Sequence, residues 1–350
     1  NVAIGTRPEY NGATPTKANS DTQYFTFTES WAEEIDEVTG DVTYTAQYKG
    51  TDLIKFHASQ VVAGNNLDMK FAIKKSELSS WTGHSIVIER AYSKDKNGVI
   101  KENEVIVIPV TADLASGSYY IVTYKGLAAK EMCDELTLTV VNAAGQVVSV
   151  PKVDSMRDYA MRVLNKEGTE DLQMTLFVDM LDYGAAAQTK FGYNVEDLAN
   201  NQLTEAHRAY AGEDVTYVER FERGSEVAGT QLILESNIRF RVAFKKVTSD
   251  MYATVKFTNH NGEEINLDYV PTDFKMSGTT GIIDIDALVI ADACQEIVIM
   301  VYKGDGTVYS ELHASIEDYL ARLSPVEEVF SAIMKFSASA RAYLHKDDNK

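Results

Sequence analysis

NNLDMKFAI, residues 65–73, and SNIRFRVAF, residues 236–244, are the two stretches on which the fold turns. Each sets an Asn before a strict alternation, with Leu67, Met69, Phe71 and Ile73 in one and Ile238, Phe240, Val242 and Phe244 in the other. Successive side chains leave a strand on opposite sides, so an apolar residue at every second position specifies a strand with one buried face. One pattern at two separated places points to an internal repeat.

The repeat extends outward from these strands. KNGVI around Asn97 and Gly98 matches HNGEEI around Asn261 and Gly262, and Asn-Gly between strand-like runs signals a hairpin. The first copy carries the longer, charged hairpin SKDKNGVIKENE. MCDELTLTVVNAAGQVVS (132–149) matches ACQEIVIMVYKGDGTVYS (293–310) as strand, turn, strand, with Gly145 and Gly306 at equivalent turns. The period then becomes helical. SMRDYAMRVL (155–164) matches SIEDYLARL (315–323), with Ser155 or Asp154 placed to cap the helix. A second helix is expected over residues 171–191, and its counterpart over 326–344. Within it, MLDYGAAAQTKF (180–191) matches IMKFSASARAYL (333–344). Tyr183 becomes Phe336 and Gly184 becomes Ser337 while the alanines stay small, which describes a packing seam rather than an active site.

Strands first and helices second make an α+β chain. The expected architecture is a small β unit (1–50) followed by two tandem duplicated modules (51–222 and 223–350). Each module is antiparallel and sandwich-like, capped by a C-terminal helical pair. The bridge over residues 201–223 is polar and reads as part helix, part solvated connector.

Bulk properties agree. A chain of 350 residues exceeds one ordinary core, so two or three units are expected. The 33 Lys+Arg against 52 Asp+Glu give a net charge of −19, which opposes a nucleic-acid partner because phosphate contacts need a basic footprint. No run of about 18 apolar residues exists, so no membrane insertion is expected. The chain starts at Asn1 in mid-pattern, as a fragment of a longer polypeptide would. A monomer is expected.

YNGATPTK (10–17), Trp31 and VTGDVTYTAQY (38–48) have no later copy, and their Thr, Tyr and Phe content with Asn-Gly and Thr-Gly-Asp turns reads as a small β unit. These residues, over about 8–49, resemble the C-terminal half of the Listeria/Bacteroides (internalin B) repeat of Gram-positive and gut bacterial surface proteins. That resemblance implies an extracellular, cell-wall-associated spacer or adhesive module without catalysis. VDMLDYGAAAQTKF (178–191) is also similar to a segment of large uncharacterised surface proteins of gut Clostridia.

Residues that could carry chemistry are few. Cys133 and Cys294 occupy one position in the two copies, which suits small buried hydrophobes rather than a disulfide. His57, His84, His207, His260, His313 and His345 are scattered without zinc spacing and are expected at the surface. GxSxG, GxGxxG, HExxH and P-loop patterns are absent, so an enzyme is not expected. Asp95, Asn97, Glu102 and Asp305 lie near glycine turns, but the calcium-loop spacing fails; no cofactor or metal is expected. Asp158 with Arg162, and Asp318 with Arg322, stand four apart, where unlike charges can meet on a helix. Tyr159 and Tyr319 belong to the apolar stripe.

Exposed aromatics often anchor proteins or glycans. Trp81, Tyr119, Tyr120 and Tyr124, unmatched in the second module, together with Tyr92 and Asn97 of the longer hairpin, are the candidate ligand-binding residues, with local packing as their alternative use. The expected function is a non-catalytic adhesion module for a host protein, such as immunoglobulin or mucus glycoprotein, or for a glycan. The rival is a structural spacer of a large cell-wall protein.

Overall fold

The computed structural model describes residues 3–63, 67–222, 224–234 and 238–347. Asn65, Asn66, Ser236 and Asn237 of the repeat motifs, and Arg223 of the bridge, lie outside the described residues. The chain opens with β1 (Gln23–Trp31) and β2 (Ala46–Asp52), an antiparallel pair. Trp31 packs on Tyr10 and Phe27, with ring centroids 5.0 and 5.5 Å apart. The alternation VTYTAQY suggested a strand from residue 42, yet pairing begins at Ala46. The register shifts between Phe27 and Trp31, where Glu29 takes a left-handed φ of 58°.

Ten elements follow: β3 (Phe56–Ala63), β4 (Leu67–Lys74), β5 (Ser85–Ala91), β6 (Glu104–Pro109), β7 (Ala115–Ser116), β8 (Tyr119–Leu127), β9 (Glu135–Val141), β10 (Lys152–Asp154), α1 (Met156–Leu164) and α2 (Asp171–Phe191). The short α3 (Glu205–Arg208) lies in the connector. Ten more complete the chain: β11 (Val227–Leu234), β12 (Ile238–Phe244), β13 (Tyr252–Thr258), β14 (Glu264–Tyr269), β15 (Lys275–Ser277), β16 (Thr280–Ile285), β17 (Ile297–Tyr302), β18 (Val308–Ala314), α4 (Ile316–Ala321) and α5 (Glu328–Leu344).

The fold is α+β, dominated by antiparallel sheets. In the first half the sheets run β3-β4-β8-β7 and β10-β9-β5-β6; in the second, β11-β12-β16-β15 and β18-β17-β13-β14. Strand for strand, the two halves follow the same order. Leu67, Met69, Phe71 and Ile73 on β4, and Ile238, Phe240, Val242 and Phe244 on β12, are all buried. Each fully buried side chain of this size favours folding by about 1.5–3 kcal/mol, so these strands are central to the core. Hydrogen bonds cross between the sheets of each half: Arg90 on β5 reaches Tyr124 on β8 at 3.3 Å, and Tyr269 on β14 reaches the Asp284 carbonyl on β16 at 2.9 Å.

Ser155 caps α1 by accepting the Asp158 amide at 3.0 Å, and Ser315 caps α4 in the same way. The Asp158–Arg162 pair does not form. Arg162 instead grips Asp154 at 2.8 and 2.6 Å, and Arg322 pairs with Glu219 while Asp318 accepts the Arg220 and Phe221 amides. In the first pair the arginine is drawn away to Asp154, and in the second the aspartate is drawn to the connector's amides. The connector is likewise less solvated than its charge suggested: Leu203 and His207 are buried, and His207 completes a capping box on α3. The two cysteines are free and half-buried rather than sealed in the core. Cys133 accepts from Gln188 at 3.6 Å, and burial pushes its thiol up to about 11.

The small residues of MLDYGAAAQTKF serve close packing. A Cβ on Gly184 would stand 2.6 Å from Met132 Sδ and 3.0 Å from Ala199 Cβ. On its other flank α2 lies along α5, where Tyr183 meets Phe336 at 6.1 Å between ring centroids.

Candidate functional site

Ile86, Ile88 and Arg90 share the inward face of β5, so the strand's period of two carries a guanidinium into the core. Arg90 is 5% exposed and donates Nε and Nη2 to Asp134 Oδ2 at 3.1 and 2.7 Å. Glu131 Oε2 lies 2.8 Å from the same Nη2. The other Asp134 oxygen accepts the Ser93 amide at 3.1 Å and its hydroxyl at 2.8 Å, and the Tyr193 hydroxyl donates to Asp134 as well. Tyr124 in turn donates to Glu104 at 2.5 Å. Burial disfavours the Arg90 charge, but Glu131 and the bonds to Asp134 and Tyr124 outweigh it and raise its pKa. The Tyr124 and Tyr193 hydroxyls are pushed well above their usual range, chiefly by burial.

This network belongs to the first half. Ile88 pairs with Leu138 as Val255 pairs with Ile299, so Phe257 stands where Arg90 does. Met69 pairs with Tyr124 as Phe240 pairs with Ile285, so Ile285 replaces Tyr124. Gln295, one residue beyond Cys294, replaces Asp134.

Above the network rises the longer hairpin between β5 and β6. Tyr92 covers the Arg90 guanidinium at 4.2 Å, with Lys101 Nζ 5.6 Å from its ring. Asp95 Oδ1 accepts the Asn97 and Val99 amides at 2.8 and 2.9 Å, and Gly98 supplies the left-handed turn with φ 74°. Those amide bonds, from Val99 above all, hold the Asp95 carboxyl below its ordinary pKa. Lys94 accepts the Asn194 amide at 2.8 Å, which ties the hairpin to the segment after α2. Between them runs a groove of about 280 Å³ lined by Lys94, Asp95, Lys96 and Gly98 on one side and Gly192 and residues 194–196 on the other. Asn97, Val99 and Ile100 face solvent at the tip, the last two 55% and 57% exposed.

The six candidate residues therefore fall into two groups. Tyr92, Asn97 and Tyr124 belong to the hairpin and its base. Trp81 and Tyr120 meet edge to face at 5.3 Å, with Tyr119 beside them on β8. Trp81 and Tyr124 are buried, which corrects any role for them as exposed ligand platforms. The Trp81 indole donates to the Lys75 carbonyl at 2.8 Å, so its polar edge is already used inside the fold.

Sequence reasoning passed over a second polar feature. Asp179, an acid within the apolar run LFVDML of α2, is 1% exposed; it accepts the Gly212 amide at 2.9 Å, and burial raises its pKa. It borders a cleft of about 330 Å³ between α2, α5 and the connector, which also holds the ion pairs Arg208–Asp182 and Lys335–Asp214.

Asp95 and Asp305 spend their carboxylates on their own turns. Among the described residues no three His, Cys, Asp or Glu side chains gather to hold a metal ion. No described helix is long and apolar enough to cross a membrane. The sequence matches no family model and no curated protein.

Proposed function

We propose that the chain is a non-catalytic extracellular segment of a bacterial cell-surface protein. In it a Listeria/Bacteroides-type β repeat precedes two copies of one α+β module, and the first copy binds a host protein, such as immunoglobulin or mucus glycoprotein, or a glycan. The common strand order of the two halves supports the duplication. The observation that carries the binding role is the hairpin of residues 92–103. Buried charge is costly to install, and the longer hairpin stands on a buried guanidinium with two carboxylates, whereas the matched turn at residues 259–263 stands on Phe257 and one buried carboxylate, Asp292, which holds His260 at 2.9 Å. A rigid base under an exposed tip lowers the ordering cost of binding.

The spacer role has one observation in its favour: α2 lies along α5, joining the two halves through their long helices. Surface immobilisation of the purified chain, exposed in turn to secretory immunoglobulin, mucin and a glycan array, separates the two. Reproducible capture of one class supports binding; no capture across all three favours the spacer.

A further inference from the structure

The two halves treat one matched sheet edge in opposite ways. Among the described residues, β6 and β14 each end their sheet, pairing only with β5 and β13. The side of β14 turned from the core carries Glu264, Asn266 and Asp268, all exposed. On β6 the corresponding side carries Val105, Val107 and Pro109, with both valines 58% exposed. Polar and charged side chains on an edge are the usual guard against unwanted strand pairing. β14 has that guard, and β6 keeps only Pro109 at its end.

The apolar surface continues inward from the edge. Val107 pairs with Val87 and Val87 with Thr139, while Thr137 pairs with the exposed Val153 on the opposite edge strand. Valines and threonines thus make most of one outer face beside an open backbone edge, with Glu89 set into it between Val105 and Thr137. Glu89, which accepts from Asn103, is the charge within this face, and Glu102, Glu135 and Lys101 border it. Three carboxylates against one ammonium make the face and its border acidic. A chain of net charge −19 also opposes its own second copy.

We propose that β6 is a docking strand: an extended segment of a partner protein, apolar on alternate residues and flanked by basic ones, adds to the β10-β9-β5-β6 sheet along residues 104–109. Main-chain hydrogen bonds would supply affinity, and contacts to Val105 and Val107 would select the side chains. The proposal rests on the binding reading above and names its partner's chemistry, with the adjacent hairpin 92–103 as a side wall.

The test uses the full chain and a capped heptapeptide, Lys-Val-Thr-Val-Thr-Val-Lys. Backbone hydrogen exchange should slow over residues 104–109 on peptide addition and stay unchanged over 264–269. Methylating the peptide's valine nitrogens, which removes donors but keeps side chains, should weaken binding about tenfold or more, and so should V105K/V107K. Exposure of both valines leaves the variant's fold intact, which its circular dichroism checks. The proposal is overturned by unchanged exchange at 104–109, by equal binding of the methylated peptide, or by sedimentation showing that β6 pairs with a second copy instead. If the wild type captures a host protein and V105K/V107K captures it equally well, the edge is wrong while the binding role stands. If the wild type captures nothing yet binds the peptide at β6, the host-partner reading fails and the edge survives.

Discussion

Asp134→Ala is the sharpest perturbation of the hairpin's foundation. The change removes the acceptor for Arg90 Nε and Nη2, for the Ser93 amide and hydroxyl, and for the Tyr193 hydroxyl. With Arg90 5% exposed and Asp134 1% exposed, water does not replace what is lost. Removing one partner of a buried charged pair costs about 3–5 kcal/mol, and Glu131, still 2.8 Å from Nη2, holds the loss toward the lower end. Urea unfolding of the full chain, followed by the fluorescence of Trp81 in the first half against a Trp31→Phe background, should lose at least about 1 M in midpoint. The triple graft Arg90→Phe, Asp134→Gln and Tyr124→Ile, which installs the second half's residues, should cost less than Asp134→Ala alone, because it removes the charge along with its partner. A loss below about 1 kcal/mol for Asp134→Ala would refute the claim that this network anchors the hairpin.

Three further outcomes follow from the packing of α2. Gly212→Ala sets a Cβ 2.6 Å from Asp179 Oδ2 and should destabilise by about 1–3 kcal/mol, whereas the same change in an Asp179→Ala background should cost much less; a double-mutant cycle by chemical unfolding measures the difference. Asp179 has a raised pKa in the fold, so its contribution is complete below the unfolded carboxylate pKa and is lost as pH rises through the folded value. Asp179→Asn, fixed in a neutral form, should therefore gain on the wild type as pH rises above the unfolded carboxylate pKa of about 4, and parallel stability curves would contradict the assignment. Phe336→Ala, at a fully buried site against Tyr183, should cost about 3–5 kcal/mol by thermal or urea unfolding.

Much of this fold was legible wherever one periodicity ran undisturbed. Alternation fixed β4 and β12, Asn-Gly marked the turns at Gly98 and Gly262, and the apolar stripe placed α2 over residues 171–191 as observed. The sequence was silent where long-range partners decide. Nothing local says that Asp154 rather than Asp158 takes Arg162, or that Asp318 turns to the connector's amides. The Arg90 site had a visible signal. In SIVIERA the inward period Ile86, Ile88 continues to Arg90, and a charge on a buried strand face requires partners such as Asp134. Aromatic type alone does not distinguish a binding platform from core; Tyr124 is buried by sheet pairing distant in sequence, and Trp81 by packing on Tyr120.

Shortening the hairpin tests whether its exposed tip is the binding surface. Residues 93–102 are replaced by the second half's turn, Asn259 to Glu263, and affinity for the host ligand captured by the wild type is measured by biolayer interferometry. Affinity should fall about a hundredfold or more with the unfolding midpoint of the second half unchanged, as expected when a dominant contact surface is removed. Undiminished affinity in a folded variant would contradict it.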